Sequence, residues 1–491
     1  MTSTTAAITS DAHRGANRLI VGIVLAVITF WLFAQTTLNV APTMRDELGI
    51  SESLNNIAVS ITALFSGIFI VVAGGLADRL GRLKMTFIGL ALTILGSLLI
   101  AISPVGTITF LMTGRIIQGL SAACIMPATL ALIKDYFDGG ERQRAVSFWS
   151  IGSWGGSGVS ALFGGLVASS LGWRWIFWMS IVVAVISFLL LRGAPESKGV
   201  SKEKTRFDWY GFTIFIIAMV AVNIVIGQGT ALGWLNPMVI TLTVVFILGA
   251  VVFFRMESGN PYAFVDLRLF NNKTYAGATL SNFLLNGAAG TLLVSLSLVQ
   301  QAAGLSSLQS GLLTIGYLVA ILSTIRVGEK LLQRMGARKP MLIGCAITGA
   351  GILLTTFTFL LAGQYMIVAF VGFTLFGVGL GFYATPSTDA ALSNVPNDKA
   401  GAASGIYKMA SSLGAAFGVA ISAALFTSLS GLNGDFDRLS DLFLGRTDNI
   451  SIRFAAAVAL LFNVMMVIIA IVAIAITVPR DDPRTHASRA T

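Results

Sequence analysis

Charged residues are scarce in this chain. They make up 11% of the 491 residues, whereas roughly 25% is usual in a soluble domain, and apolar residues make up 55%. Stretches such as 19–40 and 452–478 are long enough to cross a hydrocarbon layer of about 30 Å as helices. No run shows the alternation of membrane β-strands, so we predict an all-α membrane protein whose main contact is the lipid bilayer.

Histidine and cysteine are almost absent, with two of each. His13 and His486 lie in the polar tails, which argues against imidazole-based catalysis or metal binding within the membrane. Cys124 and Cys345 lie in apolar stretches and are expected to pack as small apolar groups. The chain also has no G-x-x-x-x-G-K-[ST] segment, which argues against ATP-driven transport. We therefore expect no metal, no cofactor and no enzymatic activity.

Fourteen segments are predicted to span the membrane: 19–42, 55–76, 85–103, 107–134, 144–168, 174–192, 209–228, 237–255, 275–299, 306–326, 340–361, 364–390, 402–427 and 452–478. With the N-terminus inside, the inner segments hold 25 of the 32 Lys and Arg residues and the outer segments hold five. This bias follows the positive-inside rule and predicts that both termini are cytoplasmic. The net charge of +10 is explained by this topology, and no nucleic-acid partner is expected.

A charged turn at 74–84 lies between two apolar stretches, and an eroded copy follows at 330–339. Gln333 replaces Asp78 in the second copy, at an offset of 333 − 78 = 255 residues. Such a repeat at half the chain length indicates two homologous bundles. The predicted domains are a six-helix bundle at 1–192, a basic linker with an inserted pair of spans at 193–270, a second six-helix bundle at 271–479, and a cytoplasmic tail at 480–491.

Three motifs carry a family resemblance. The turn at 74–84 matches G-x-L-A-D-R-x-G-R nearly throughout. Residues 111–123 match L-x-x-x-R-x-x-Q-G-x-G-A-A, with Ser121 in place of a glycine. Residues 152–165 resemble G-x-x-x-G-P-x-x-G-G, with Ser160 and Ala161 in place of the G-P pair. These motifs resemble those of the major facilitator superfamily, specifically its fourteen-span drug:proton antiporter branch.

Segments 114–128, 149–157 and 405–414 further resemble quinolone exporters of that branch. The resemblance implies a multi-pass protein of the cell membrane with two pseudo-symmetric six-helix bundles and an inserted helical pair. It also implies that the protein exports quinolones and other amphipathic drugs by alternating access while protons enter. We expect a monomer.

Charges inside spans are costly and usually functional. The predicted spans hold three candidates for proton coupling: Arg115, Asp389 and Lys408. Asp389 and Lys408 lie at similar depth, either as a proton-binding carboxylate with a modulating lysine or as a structural clasp near the inner face. Arg115 lies at the depth of Gln35, either as a fixed cation facing the substrate or as a hydrogen-bonded packing residue.

Members of the resembled branch often have an L-D-x-T motif in the first span, whose Asp takes the proton. Here the matching run has Ala34 at that position, which leaves Asp389 as the only acid in any predicted span. A cavity with Arg115, either alone or together with Lys408, would then have no first-span carboxylate, and we hypothesise that it disfavours lipophilic dications. Zwitterions with a carboxylate, such as quinolones, should be accepted.

The motif residues divide into three candidate groups. Asp78 is expected to cap a helix N-terminus across the bundle interface, while Arg79 and Arg82 reach Asp135; the alternative is a solvated charged turn. The candidate switch residues are Gly74, Asp78, Arg79, Gly81, Arg82 and Asp135. The glycines expected to allow close helix packing are Gly152, Gly156, Gly164 and Gly165. Candidates for lining a substrate cavity, each of which is also suited to core packing, are Trp31, Gln35, Phe65, Gln118, Met126, Trp154, Asn282, Asn286, Tyr383 and Tyr407.

Three functions remain open at this point. The first is proton-coupled multidrug efflux, and the second is uptake or uncoupled diffusion of a small organic solute, which the missing first-span acid favours. The third is an intramembrane serine hydrolase, suggested by Gly155–Gly158 and Ala403–Gly405. A serine nucleophile needs a base, and no histidine lies in any predicted span. For the proton-coupled exporter, the expected partners are lipid, protons and amphipathic small molecules.

Overall fold

The computed structural model describes residues 17–199, 208–258, 260, 263, 265–304, 311–430 and 448–480, and every regular element in these ranges is helical. The helices, in chain order, are α1 Asn17–Ala34, α2 Thr37–Leu48, α3 Glu52–Leu80, α4 Arg82–Ala101, α5 Thr109–Tyr136, α6 Gly139–Ser150, α7 Gly156–Ser170, α8 Arg174–Leu191, α9 Trp209–Leu232, α10 Pro237–Glu257, α11 Lys273–Gly287, α12 Gly290–Ala303, α13 Ile315–Met335, α14 Arg338–Thr355, α15 Ala362–Ser393, α16 Ala400–Ser430 and α17 Ile450–Thr477. The last turns of α1, Thr29–Ala34, are π-helical, and a second π-helical turn, Ile151–Gly155, joins α6 to α7.

Eleven helical segments in the described part of the chain are long and apolar enough to cross a membrane. The predicted spans 144–168, 306–326 and 340–361 are not among them, although their described residues are largely helical. Residues 306–310 lie outside the described ranges. The all-α membrane fold is thus confirmed, whereas the count of fourteen spans and the cytoplasmic position of the termini stay predictions.

Both copies of the charged turn are glycine-centred corners between helices. α3 ends at Leu80, Gly81 has φ +124°, and α4 begins at Arg82. α13 ends at Met335, and Gly336 has φ +72°. Because positive φ favours glycine, the repeated glycine marks the same kind of corner at the offset 336 − 81 = 255.

The chain folds into two compact units. Unit 1 comprises residues 1–220, 249–267 and 395–409. In this unit α5 packs along α3 and α4, and a buried apolar cluster lies beneath α2 and α8, around Met44, Trp173 and Phe177. Helices α4 and α5 approach closely at glycines, since a Cβ on Gly96 would lie 2.9 Å from the carbonyl oxygen of Gly114.

Unit 2 comprises residues 221–248, 268–394 and 410–491. Here α15 packs along α13 and α14, and the core includes Tyr365, Phe373 and Leu460. A Cβ on Gly351 would lie 2.5 Å from the carbonyl oxygen of Gly372. Gly351 follows Gly96 at 351 − 96 = 255 residues, the offset of the repeated turn, whereas the partner Gly372 follows Gly114 at 372 − 114 = 258 residues.

The compact units differ from the predicted domains. Helices α9, α10 and α16 each contribute residues to both units, and residues 395–409 belong to unit 1 although they lie in the predicted second bundle. The inserted pair does not form a unit of its own in this division. The two-bundle division at 1–192 and 271–479 stays a prediction.

Candidate functional site

Asp78 caps the N-terminus of α16. Its Oδ1 accepts a hydrogen bond from the backbone N–H of Gly401 at 2.9 Å, and its Oδ2 accepts one from Ala402 at 3.0 Å. The first N–H groups of a helix have no intrahelical partner and lie at the positive end of the helix dipole. The carboxylate is buried, at 6% exposure, so these bonds are largely removed from water. The predicted capping by Asp78 is present within unit 1.

Arg82 holds the same carboxylate from the other side. Its Nε and Nη2 donate to Asp78 Oδ1 at 3.0 and 2.9 Å, and its Nη1 donates to Ser197 Oγ at 3.1 Å. Nη2 also donates to the backbone carbonyl of Asn397, just before α16. A fully buried guanidinium with these partners fixes the geometry of the cap.

The linker after α8 seals the turn, a role that the sequence analysis did not identify. Glu196 accepts from the backbone N–H groups of Leu83 and Lys84 at 2.9 and 3.0 Å, at the N-terminus of α4. Gly81 is favoured by its positive φ, and a Cβ there would lie 2.5 Å from Cδ of Glu196 and displace this carboxylate. The signal in the sequence was Glu196, the first acid of a linker that is rich in lysine and arginine.

Glycines bring α3 and α16 into backbone contact beside the cap. A Cβ on Gly74 would lie 2.3 Å from the carbonyl oxygen of Gly401, and a Cβ on Gly405 would lie 2.8 Å from that of Ile70. Gly401 and Gly405 form a G-x-x-x-G pair, which allows close helix approach in membranes. By contrast, Gly75 has open space where its Cβ would be.

The arginines of the turn do not share the predicted role. Arg82 Nη1 lies 3.7 Å from Asp135 Oδ1, whereas Arg79 is exposed and, within the described ranges, makes no ion pair with Asp135. A second cation, Lys134, donates to the backbone carbonyl of Val395. The chain before α16 is therefore held by Arg82 and Lys134.

Arg115 on α5 is buried, at 2% exposure, and its donors meet oxygen atoms of unit 1. Its Nε donates to the Ala58 carbonyl at 2.9 Å and its Nη2 to the Val59 carbonyl at 3.2 Å. Its Nη1 is within 3.0 Å of three acceptors: the Ala34 carbonyl, Thr37 Oγ1 and Gln118 Oε1. The guanidinium thus links α5 to α3 and to the end of the π-helical turn of α1, while Gln35 is not among these acceptors. A role of Arg115 in proton coupling stays a prediction.

The predicted glycine motif packs α6 and α7 against α1. A Cβ on Gly152 would lie 3.2 Å from Val24, one on Gly156 3.2 Å from Trp31, and one on Gly164 2.3 Å from Thr36. Gly165 has nothing within 4 Å and is exposed. Both π-helical turns lie in this region, and such turns are frequent at functional sites.

Lys408 on α16 is buried in unit 1 among aromatic rings. Its Nζ lies 4.7 Å from the ring centroid of Trp149 and 5.7 Å from that of Trp31. Only 4% of the residue is exposed. Within the described ranges Lys408 has neither a hydrogen bond nor an ion pair of its own. The sequence analysis identified Lys408 and Trp31 but not Trp149.

In unit 2, predicted cavity residues lie in a polar network between α11, α15 and α16. Asn286 Nδ2 donates to Asn282 Oδ1 at 2.9 Å, and Asn282 Nδ2 donates to Ser411 Oγ at 2.6 Å. Tyr383 Oη lies 2.7 Å from Ser281 Oγ, and Tyr383 is fully buried. The expected spacing of the two asparagines by one helical turn is therefore seen in their contact.

Asp389 is buried on α15 in unit 2, at 6% exposure. It is not the only buried acid in the long helices. Glu329 on α13 is 3% exposed and accepts from Arg326 and, at 3.3 Å, from Gln333. The sequence analysis missed Glu329 because the predicted span ended at residue 326, whereas α13 continues to Met335.

The remaining cavity candidates lie in unit 1. Met126 and Tyr407 are buried, and Gln118 lines a cavity of about 10 Å³ with Ala34 and Ser121. Phe65, Trp154 and Gln35 are partly exposed. Cys124 and Cys345 are buried free thiols, in agreement with their expected packing role.

Comparison with known proteins identifies full-length relatives. A family model of the Major Facilitator Superfamily matches residues 20–419 and 276–491. Quinolone resistance protein NorB of Staphylococcus aureus strain COL is 50% identical over 472 residues, which cover 96% of this chain and 98% of the relative. NorB of strain JH9 matches with the same identity and coverage.

Two solved structures share the fold. The proton:xylose symporter XylE bound to 6-bromo-6-deoxy-D-glucose matches with a TM-score of 0.64 at 17% identity, covering 96% of this chain and 97% of that one. The human organic anion transporter MFSD10 (TETRAN) matches with a TM-score of 0.57 at 15% identity, covering 93% and 99%. At such low identities the likeness concerns the fold alone.

Proposed function

This chain belongs to the Major Facilitator Superfamily and is a multi-pass protein of the cell membrane, and we propose that it exports quinolones and related amphipathic drugs in exchange for protons. The observation that carries this proposal is the 50% identity to a quinolone resistance protein over 96% of the chain. One fold serves many cargoes, so the substrate is inferred from this relative and not from the fold.

The conformational part of the proposal is that the Asp78 cap stabilises a state closed on the cytoplasmic side. In this state the carboxylate of Asp78 holds the first N–H groups of α16, and Gly74 lies against Gly401. Opening towards the cytoplasm would separate α3 from α16 and expose these groups to water. Alternating access then consists of forming and breaking the cap in each cycle.

The coupling part of the proposal gives the proton to Asp389. The position of a first-span acid is occupied by Ala34, which is buried and whose carbonyl accepts from Arg115. Asp389 is a buried carboxylate of a long apolar helix, and a carboxylate can alternate between charged and neutral forms as its surroundings change. Arg115, with its donors already engaged, serves in this scheme to fix α1, α3 and α5.

Everted membrane vesicles test the proposal. A proton gradient that is acidic inside the vesicles is imposed and monitored by a fluorescent dye, and a quinolone is then added. Antiport predicts that the quinolone dissipates the gradient in vesicles with the wild-type protein and that Asp389→Asn abolishes this effect. Glu329→Gln serves as the matched control, because Glu329 is another buried acid of unit 2 and has protein donors nearby.

The alternative is uptake or uncoupled diffusion, which the missing first-span acid favours. It predicts quinolone flux down its own gradient with no proton movement in the same vesicles. Equal proton release in Asp389→Asn and wild type would remove Asp389 from the mechanism while leaving antiport intact. No quinolone flux at all would refute the proposed cargo.

A further inference from the structure

The surroundings of Lys408 are unusual for a buried cation. A buried ammonium group is costly unless it is paired, and pairing with a carboxylate is the common solution. Here the faces of Trp149 and Trp31 lie at 4.7 and 5.7 Å from Nζ, and within the described ranges the residue has no ion pair. Cation–π contacts attract the ammonium group but leave its three N–H donors without acceptors.

Two buried polar atoms on residues near this lysine have no partner in the described structure. They are Nε1 of Trp31, whose ring lies 5.7 Å from Nζ of Lys408, and the hydroxyl of Ser404. Ser404 lies one helical turn before Lys408 on α16. Buried polar groups in native proteins are nearly always hydrogen-bonded, so these two donors are available to a ligand.

The two tryptophans differ in a way that defines the binding side. Trp149 is 1% exposed, and its Nε1 donates to Thr129 Oγ1 at 3.0 Å, so its ring is fixed in the core. Trp31 is partly exposed, lies in the π-helical turn of α1, and keeps its N–H unpartnered. The indole N–H that stays available to a ligand beside Lys408 is therefore that of Trp31.

We propose that Lys408, with the indole N–H of Trp31 and the hydroxyl of Ser404, binds the carboxylate group of the transported drug. A carboxylate accepts several hydrogen bonds and neutralises the lysine, and the rings of Trp31 and Trp149 suit the aromatic body of the same molecule. An exclusively cationic drug would face an uncompensated ammonium group at this place. The inference rests on the proposed function and assigns its substrates to the class of aromatic carboxylates and zwitterions.

Binding to the purified full-length protein in lipid nanodiscs tests this assignment. The probes are a fluoroquinolone and its 3-carboxamide, which keeps the ring amine but lacks the carboxylate, together with 2-naphthoate and its amide 2-naphthamide. Lys408→Met should weaken binding of both carboxylates about 10- to 100-fold, the value of one charge-assisted hydrogen-bonded pair, and should change amide binding little. Lys408→Arg should restore most of the carboxylate affinity.

Two further variants keep the test decisive. Lys399→Met makes the same change in charge on an exposed lysine paired with Asp266, and should leave the ratio of carboxylate to amide affinity unchanged. Trp31→Phe keeps an aromatic face but removes the N–H, and should lower that ratio several-fold even if Lys408→Met is poorly folded. An unchanged ratio in Trp31→Phe, or equal losses for acid and amide in a folded Lys408→Met, would overturn the assignment.

Failure of the site and failure of the function give different results. If vesicles transport quinolones but Lys408→Met lowers the affinity for the acid and for the amide equally, the export function stands and the carboxylate site is wrong. If 2-naphthoate binds in a Lys408-dependent manner but no quinolone moves, the site stands and the proposed cargo is wrong.

Discussion

Replacing Asp78 by Asn should destabilise the closed state by about 2 to 4 kcal/mol. The shape of the side chain is kept, but the buried carboxylate loses its charge. Hydrogen bonds to a charged group contribute about 1.5 to 3 kcal/mol and neutral ones about 0.5 to 1.5, so each of the bonds to Gly401 and Ala402 weakens by about 1 kcal/mol. The interaction with the helix dipole adds about 0.3 to 2 kcal/mol.

The change corresponds to a roughly 30- to 700-fold increase in the population that is open at the cap, since about 1.4 kcal/mol is tenfold. A cysteine at Ala400, which is fully buried at the start of α16, reports this opening through its reaction with a membrane-impermeant maleimide. Background from the native thiols is small because Cys124 and Cys345 are buried. The labelling rate in inside-out vesicles should rise steeply in Asp78→Asn.

Asp135→Asn is the control for this experiment. Asp135 is a partly exposed acid 3.7 Å from Arg82, and such pairs contribute less than about 1 kcal/mol. The rate at which the cysteine at position 400 is labelled in Asp135→Asn should therefore stay within about fivefold of the rate in wild type. Equal labelling of Asp78→Asn and wild type, with both proteins folded, would refute the idea that the cap holds this side closed.

Two more substitutions test the contacts around the cap and the core of unit 1. Gly74→Ala should impair transport, because its Cβ would lie 2.3 Å from the Gly401 carbonyl, whereas Gly75→Ala meets open space and should transport like wild type; drug efflux from intact cells measures both. Arg115→Ala should lower the free energy of unfolding by about 3 to 5 kcal/mol, because it leaves three backbone carbonyls without their donor. Arg45→Ala breaks only an exposed ion pair with Asp46 and should lower it by about 0 to 1 kcal/mol. Thermal unfolding in detergent measures this difference.

The sequence predicted those features that depend on local chemistry. The low fraction of charged residues predicts that the protein lies in lipid. The corner between two helices is predicted by Gly81 and its copy Gly336, which both adopt positive φ. These inferences need only neighbours in the chain or a known preference of one residue type. Capping by Asp78 was predicted from the match of the charged turn to a family motif, although its partners Gly401 and Ala402 lie more than 300 residues away in the chain.

Most contacts between distant chain segments could not be predicted from the sequence. Glu196 meets the N-terminus of α4 across more than 100 residues, and no periodicity marks such a contact. Arg115 was placed near Gln35 by depth alone, while its donors meet carbonyls that the π-helical turn and α3 present to it. Glu329 was missed because a hydropathy boundary does not show where a helix ends.

Helix α16 connects the two candidate functions of unit 1. Gly401, which is held by Asp78, and Lys408 are seven residues apart, so they lie on one face of the helix about 10 Å from each other. A rigid helix that moves away from α3 must also move Lys408 relative to Trp31 and Trp149. By linkage, a ligand that binds one position of α16 more tightly shifts the protein towards that position, and any change that stabilises the same position tightens binding of the ligand. If the carboxylate of the drug binds the closed arrangement better, the drug should slow labelling at position 400, and Asp78→Asn should weaken drug binding in proportion to the loss of the closed population, although Asp78 itself does not touch the drug.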